Sequence, residues 1–123
     1  MSTLPEVVSV SERLATITSH WRPKLIAELN GQAVKLSRLK GEFIWHRHDE
    51  ADELFLVLEG TLRLEFRDGA RDVGPGELLV VPAGMEHRPV AEDEVAVLLF
   101  EPLGVRNTGN VEDATLTAPT DAR

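Results

Sequence analysis

The spacing of hydrophobic positions changes character near residue 24. Before it, Val10, Leu14, Ile17 and Trp21 recur every three or four residues, while Glu12, Arg13 and Ser19 fall elsewhere. That is the stripe of a short amphipathic helix. Ser9-Val10-Ser11-Glu12 has the form of a capping box at its start, and Pro23 stops it. The pattern predicts a helix over 9–21, preceded by a flexible N-terminus over 1–8. From Lys24 the period becomes two. KLIAEL and QAVKLSRL flank Asn30-Gly31, the strongest short signal for a two-residue type I′ hairpin. Further strands are predicted over 42–48, 53–59, 61–67, 70–73, 77–82, 86–90 and 94–101. Turn residues separate them: Asp49 to Asp52, Glu59-Gly60, Asp68-Gly69, Gly74-Pro75-Gly76, Ala83-Gly84 and Ala91 to Asp93. Many short strands with no helix between them predict an all-β sandwich or barrel over 24–101, within one domain spanning 9–104. After Pro102-Leu103-Gly104 the apolar pattern fades, so 105–123 reads as a C-terminal tail with little to bury.

Composition narrows the functional classes. The chain has 123 residues and a net charge of −8, with no cluster of Lys or Arg. This argues against nucleic acid and anionic membrane surfaces as partners. There is no cysteine, which excludes disulfides, thiolate metal sites and cysteine nucleophiles. No basic stretch followed by an apolar core opens the sequence, and no apolar run approaches the ~20 residues of a membrane helix. A cytoplasmic protein is expected.

Candidate chemistry concentrates between Gly41 and Gly60. His46 and His48 stand one residue apart, and on a strand residues i and i+2 point to one side. Glu53 opens the next strand across a short acidic turn, and His87 lies further on. Three imidazoles and one carboxylate form a mixed nitrogen and oxygen donor set suited to one divalent transition metal per chain, whether Fe, Mn, Ni, Zn or Cu. The remaining histidine, His20, reads as a surface or cap residue. Glu42 reads as a solvated rim charge.

These blocks resemble the two cupin motifs. They read Gly41-x4-His46-x-His48-x4-Glu53-x6-Gly60 and Gly76-x5-Pro82-x-Gly84-x2-His87-x3-Ala91. The first is one residue short between Gly41 and His46, and Ala91 stands where the second motif usually carries Asn. Neither is a ligand position. The short link over 61–75 is similar to that of compact bacterial single-domain cupins. The resemblance implies a double-stranded β-helix (jelly-roll) barrel holding a metal on His46, His48, Glu53 and His87. Glu53 keeps the spacing to Gly60, which ranks Glu50 and Asp52 behind it as alternative carboxylates. Small cupins often carry a mannose-6-phosphate isomerase-like label, yet no Lys/Arg pair for a phosphate is evident in the expected pocket.

Strand alternation then predicts a largely apolar pocket. Ile44 shares the side of His46 and His48, Phe55 and Val57 that of Glu53, and Met85 and Pro89 that of His87. Leu62, Leu64 and Phe66 join them across a tight Glu59-Gly60 turn. The opposite face, with Phe43, Trp45, Leu54, Leu56 and Leu58, is also apolar and needs covering. The helix covers part of it, and a second copy of the chain is expected on the rest, giving a homodimer. The functional expectation is a metalloenzyme acting on a small oxygenated molecule by dioxygenase, isomerase or lyase chemistry, with Glu53 also moving the proton. The alternative is a non-catalytic small-ligand binding or sensing module. Only about 40 residues precede the first motif, too few for a fused DNA-reading domain.

Overall fold

The computed structural model describes residues 4–123, so the expectation for 1–8 falls partly outside the described residues. Helix α1 (Val10–Ala15) is followed by strands β1 (Lys24–Leu29), β2 (Gln32–Glu42), β3 (Glu53–Glu59), β4 (Leu62–Phe66), β5 (Gly69–Val73), β6 (Leu78–Val81) and β7 (His87–Pro102). Every strand pairing is antiparallel. The main sheet runs β1-β2-β7-β3-β6, and β4 joins β5 to β7. The architecture is the expected all-β barrel, with one short helix near the N-terminus among the described residues.

The helix is shorter than its apolar stripe suggested. Ser9 caps it as expected, its Oγ accepting from the Glu12 N–H at 3.2 Å. It ends at Ala15, because Thr16, Thr18 and Ser19 favour turns over helix interiors. The Thr16 hydroxyl donates to the Arg13 carbonyl at 2.7 Å. Arg38 then serves the freed carbonyls, donating from Nη2 to Leu14 O and from Nε to Ile17 O. Trp21, expected on the helix, sits instead at φ +61 with its N–H bonded to the Arg38 carbonyl. His20 is a surface residue, its Nε2 paired at 2.6 Å with Glu94.

The Asn30-Gly31 hairpin forms as predicted, with φ of +51 and +75. Strand β7 departs from expectation. The turn anticipated at 91–93 does not break it, and 87–102 is one strand. Its first part pairs with β4, from His87 opposite Phe66 to Val90 opposite Arg63. Its second part pairs with β3, where Leu99 faces Phe55 and Val97 faces Val57. Against β2, Leu39 faces Val95 but Gly41 faces Ala91. Exposed Glu92, Asp93 and Glu94 therefore bulge out opposite Lys40, and the bulge turns the strand between the two halves of the barrel.

The barrel interior is an alternating row: Leu39 on β2, Phe55 and Val57 on β3, Leu62 and Leu64 on β4, and Val95, Val97 and Leu99 on β7. A second cluster lies outside the sheet, where Leu14 and Ile17 cover Ile26, Leu36 and Ala96, with Leu58 and Leu98 at its edge. The helix thus covers part of the outer face. Trp45 is covered differently, by the Arg67 guanidinium 3.9 Å above its ring. Leu78 and Val80 on the edge strand β6 are 58% and 48% exposed, beside half-buried Leu56 and Leu54.

The 105–123 segment does not behave as a tail. It buries Thr108 and Ala118, and the Ala122 carbonyl accepts from the Leu25 N–H at 2.7 Å. Asp121 reaches the buried ammonium of Lys35 at 2.9 Å. Its polar residues hid this role, since the segment is held more by hydrogen bonds than by apolar area.

Candidate metal centre

His46 and His48 lie in the connection between β2 and β3, outside any continuous ladder. One β-bridge holds them, His46 opposite His87. Its two backbone bonds run from His46 N to His87 O at 3.0 Å and from His87 N to His46 O at 2.9 Å. The Gly84 N–H donates to the His48 carbonyl at 2.8 Å. Glu53 begins β3 and His87 begins β7, so both of these ligand positions are strand starts.

The four side chains converge. Each offers a donor atom, these atoms lie within 4.8 Å of one another, and all four residues are buried. The imidazole orientation is fixed from behind: His46 Nδ1 contacts the Ile44 carbonyl at 2.9 Å and His87 Nδ1 the Met85 carbonyl at 3.0 Å. A carbonyl only accepts, so each Nδ1 carries the hydrogen and each Nε2 presents a bare lone pair to the cluster. His48 Nε2, His87 Nε2 and Glu53 Oε1 are buried without a hydrogen-bond partner. Glu53 Oε1 stands 3.4 Å from His48 Nε2 and 3.5 Å from His87 Nε2. Buried acceptors facing one another with nothing donating to them are costly, and a cation at their centre removes that cost. The donor set therefore fits a first-row divalent metal.

Electrostatics agree. Burial, and next the neighbouring His87, lower the His46 pKa to about 4, so this imidazole is neutral and able to ligate.

A second buried carboxyl, Glu101, went unread in the sequence. It is 3% exposed, and its Oε2 is buried without a hydrogen-bond partner. The carboxyl keeps its proton. Burial and then the Glu53 charge push its pKa up to about 9, against the pull of Lys35. Lys35 Nζ lies 3.3 Å from Glu101 and 2.9 Å from Asp121. Burial lowers the Lys35 pKa, but Asp121 and Glu101 more than reverse this and keep it charged. A signal existed: Val95, Val97 and Leu99 form an inward row that Glu101 continues, and Lys35 and Ser37 precede Leu39 in the same way. Charged residues at inward strand positions mark a site.

Beside the cluster is a cavity of about 30 Å³, walled by Trp21, Leu39, Phe43, Phe55 and Leu99 and edged by Ser37, His46, Glu53 and Glu101. It has room for a couple of waters, since one water needs roughly 10–15 Å³. Ser37 Oγ is buried there without a hydrogen-bond partner. Of the expected pocket residues, Phe55 and Pro89 line this cavity. Val57, Leu62 and Leu64 pack in the core below it. Met85 is 44% exposed and contributes only its carbonyl to the site. Ile44 also supplies a carbonyl, while Phe43, expected on the outer face, turns inward and stacks on Trp21 at 4.6 Å. Alternation fails here because the connection is not a strand. His48 opens on the other side to a wider surface groove that includes Glu50. Asp52 is engaged elsewhere, accepting from the Ala83 N–H at 2.8 Å, and neither carboxylate joins the cluster. Glu42 is a rim charge, 3.4 Å from Arg88.

An antiparallel barrel with three histidines and a glutamate at its centre defines a class of metal-site proteins. A family model described as a cupin domain matches residues 35–103, and the chain belongs to that family. It is similar to a cupin-2 domain containing protein from Shewanella frigidimarina NCIMB 400, at 41% identity and a TM-score of 0.77, covering 78% of this chain and 94% of that one. Protein NMB1881 from Neisseria meningitidis shares 32% identity, with a TM-score of 0.72 and coverage of 79% and 99%. The uncharacterized protein YdbB of Bacillus subtilis (strain 168) is 42% identical over 64 residues, 51% of this chain and 57% of YdbB. The chain spans about half the length of the curated relatives it matches. No helix among the described residues is long and apolar enough to cross a membrane.

The His46 environment predicts acid sensitivity of the metal-free protein. The unfolded chain protonates this residue near pH 6.5 and the folded chain near pH 4. Between these values the unfolded state binds more protons, so stability is lost as pH falls through the window, by roughly 3 kcal/mol. Urea midpoints measured across it in the wild type and in His46→Asn check this, and the variant's loss should be smaller. Identical profiles would contradict the assignment.

Proposed function

We propose that this chain is a metalloenzyme of the dioxygenase, isomerase or lyase type, acting on a small, oxygenated, largely apolar molecule. The observation that carries the proposal is the convergence of donor atoms from four buried residues, His46, His48, Glu53 and His87, beside a cavity with its own proton-bearing group. Those four residues would hold one divalent ion, which supplies Lewis-acid polarisation of an oxygen placed against it. The remaining roles fall to the chain. Trp21, Phe43 and Phe55 give the cavity an apolar wall. Ser37 Oγ offers a hydrogen bond to a substrate hydroxyl or carbonyl. Glu101 takes over the proton-transfer role first assigned to Glu53: its carboxyl holds a proton at neutral pH, and Glu53 beside it steadies that proton.

Metal analysis after reconstitution with each first-row ion should give one ion per chain, and a His46→Ala, His48→Ala double variant should retain almost none. Stoichiometric metal in the double variant would overturn the site. A panel of small enols, diketones and hydroxy acids, with and without oxygen, should include a substrate. Glu101→Gln should then lower kcat by about 10²-fold with metal content unchanged. Binding without turnover under every metal would favour the ligand-binding module instead.

We also propose that a second copy of the chain covers the outer face of β3 and β6. Leu78 and Val80 lie exposed on an edge strand, next to Leu54 and Leu56, and an open apolar edge invites pairing. A Leu78→Glu, Val80→Glu variant should sediment as a monomer where the wild type sediments as a dimer. A monomeric wild type at micromolar concentration would end this proposal.

A further inference from the structure

We infer that Gly109 and Asn110, in the segment after β7, are positioning residues of the metal centre. They hold His46-Arg47-His48 in the place of a missing strand. The inference rests on the metal reading above. The residue between the two histidines, Arg47, has its own backbone groups to satisfy, and the bridge to His87 serves His46 only. The Arg47 N–H donates to Asn110 Oδ1 at 2.8 Å, and the Asn110 N–H donates to the Arg47 carbonyl at 3.0 Å. One asparagine thus supplies both halves of an antiparallel rung, its side chain standing in for a main-chain carbonyl.

Gly109 makes the closer approach. A Cβ there would stand 2.2 Å from the Arg47 carbonyl oxygen and 3.1 Å from Cδ2 of the His46 ring, and its φ is +57. Only glycine allows the backbone to lie against the edge of a ligand imidazole at this distance. The loop carrying both residues is itself braced. Fully buried Thr108 donates from Oγ1 to the Val111 carbonyl at 2.6 Å, and Arg106 Nε donates to the Gly109 carbonyl at 2.9 Å. Asn107 Oδ1 accepts from the Ala118 N–H at 2.9 Å. A braced loop pressed against a ligand segment lowers the freedom that the histidines lose on taking up a metal, which raises affinity.

The test is a Co²⁺ titration followed by the visible d–d absorption, with a competing chelator to set the scale. Asn110→Ala should weaken Co²⁺ binding by at least roughly tenfold. Asn110→Asp, which keeps an acceptor for the Arg47 N–H, should restore it. Gly109→Ala should weaken binding further and shift the d–d band, since its methyl group overlaps the Arg47 carbonyl and displaces the backbone between the two ligand histidines. Asn110 is exposed, so its replacement leaves the core intact, and a loss of stability alone would not move the band. If the wild type takes up no Co²⁺, the metal reading itself falls and this inference with it. If the wild type binds and Asn110→Ala matches it in affinity and spectrum, the metal reading stands and the positioning role is overturned.

Discussion

The structure turns on a carboxylate and three imidazole lone pairs that meet out of contact with water. A buried carboxylate costs several kcal/mol unless it is paired, and buried nitrogen acceptors without donors add to that cost. One feature reduces the burden within the chain: Glu101 keeps a proton beside Glu53. It supplies no donor for Nε2 of His48 and His87. The arrangement makes physical sense as a receptor for a cation, and the rest of the barrel holds it in shape. Strand starts place Glu53 and His87, a single bridge places His46, and the helix and core below keep those strands in register.

Behind the donor set runs a line of alternating charge. Asp121 pairs with Lys35, Lys35 reaches Glu101, and Glu101 lines the same cavity as Glu53. The line links the last residues of the chain to the centre of the barrel. Lys35 sits between two acids but is balanced by one of them: Asp121 stays ionised and Glu101 does not. That division of protons leaves a neutral carboxyl at the cavity, where a substrate would meet it. The same C-terminal segment approaches His46 from the other side through Gly109, so it supports the centre at two points.

Much of this was legible from residue order. Alternation located the barrel strands, Asn30-Gly31 located the hairpin, and residue chemistry together with spacing picked out His46, His48, Glu53 and His87. Each of these signals is local. What escaped was set by contacts distant in sequence. The stripe from Val10 to Trp21 suggested a helix of full length, but Thr16 and Thr18 end it and Arg38 caps it from the barrel. Phe43 turns inward because 43–48 leaves the ladder, and strand parity does not survive that break. Ala91 to Asp93 looked like a turn and proved a bulge, a distinction made only by the partner strand. Glu101 and Lys35 are charges in apolar rows, and strand alternation alone does not say that they are paired inside the barrel. The C-terminal segment carried no apolar pattern because it docks through hydrogen bonds and an ion pair.

X-ray absorption at the metal edge of the reconstituted protein addresses the central claim most directly. The account predicts a shell of nitrogen and oxygen donors with the multiple scattering of three imidazoles, falling to two in His87→Ala. A shell of oxygen donors alone, or an imidazole count that His87→Ala leaves unchanged, would contradict it.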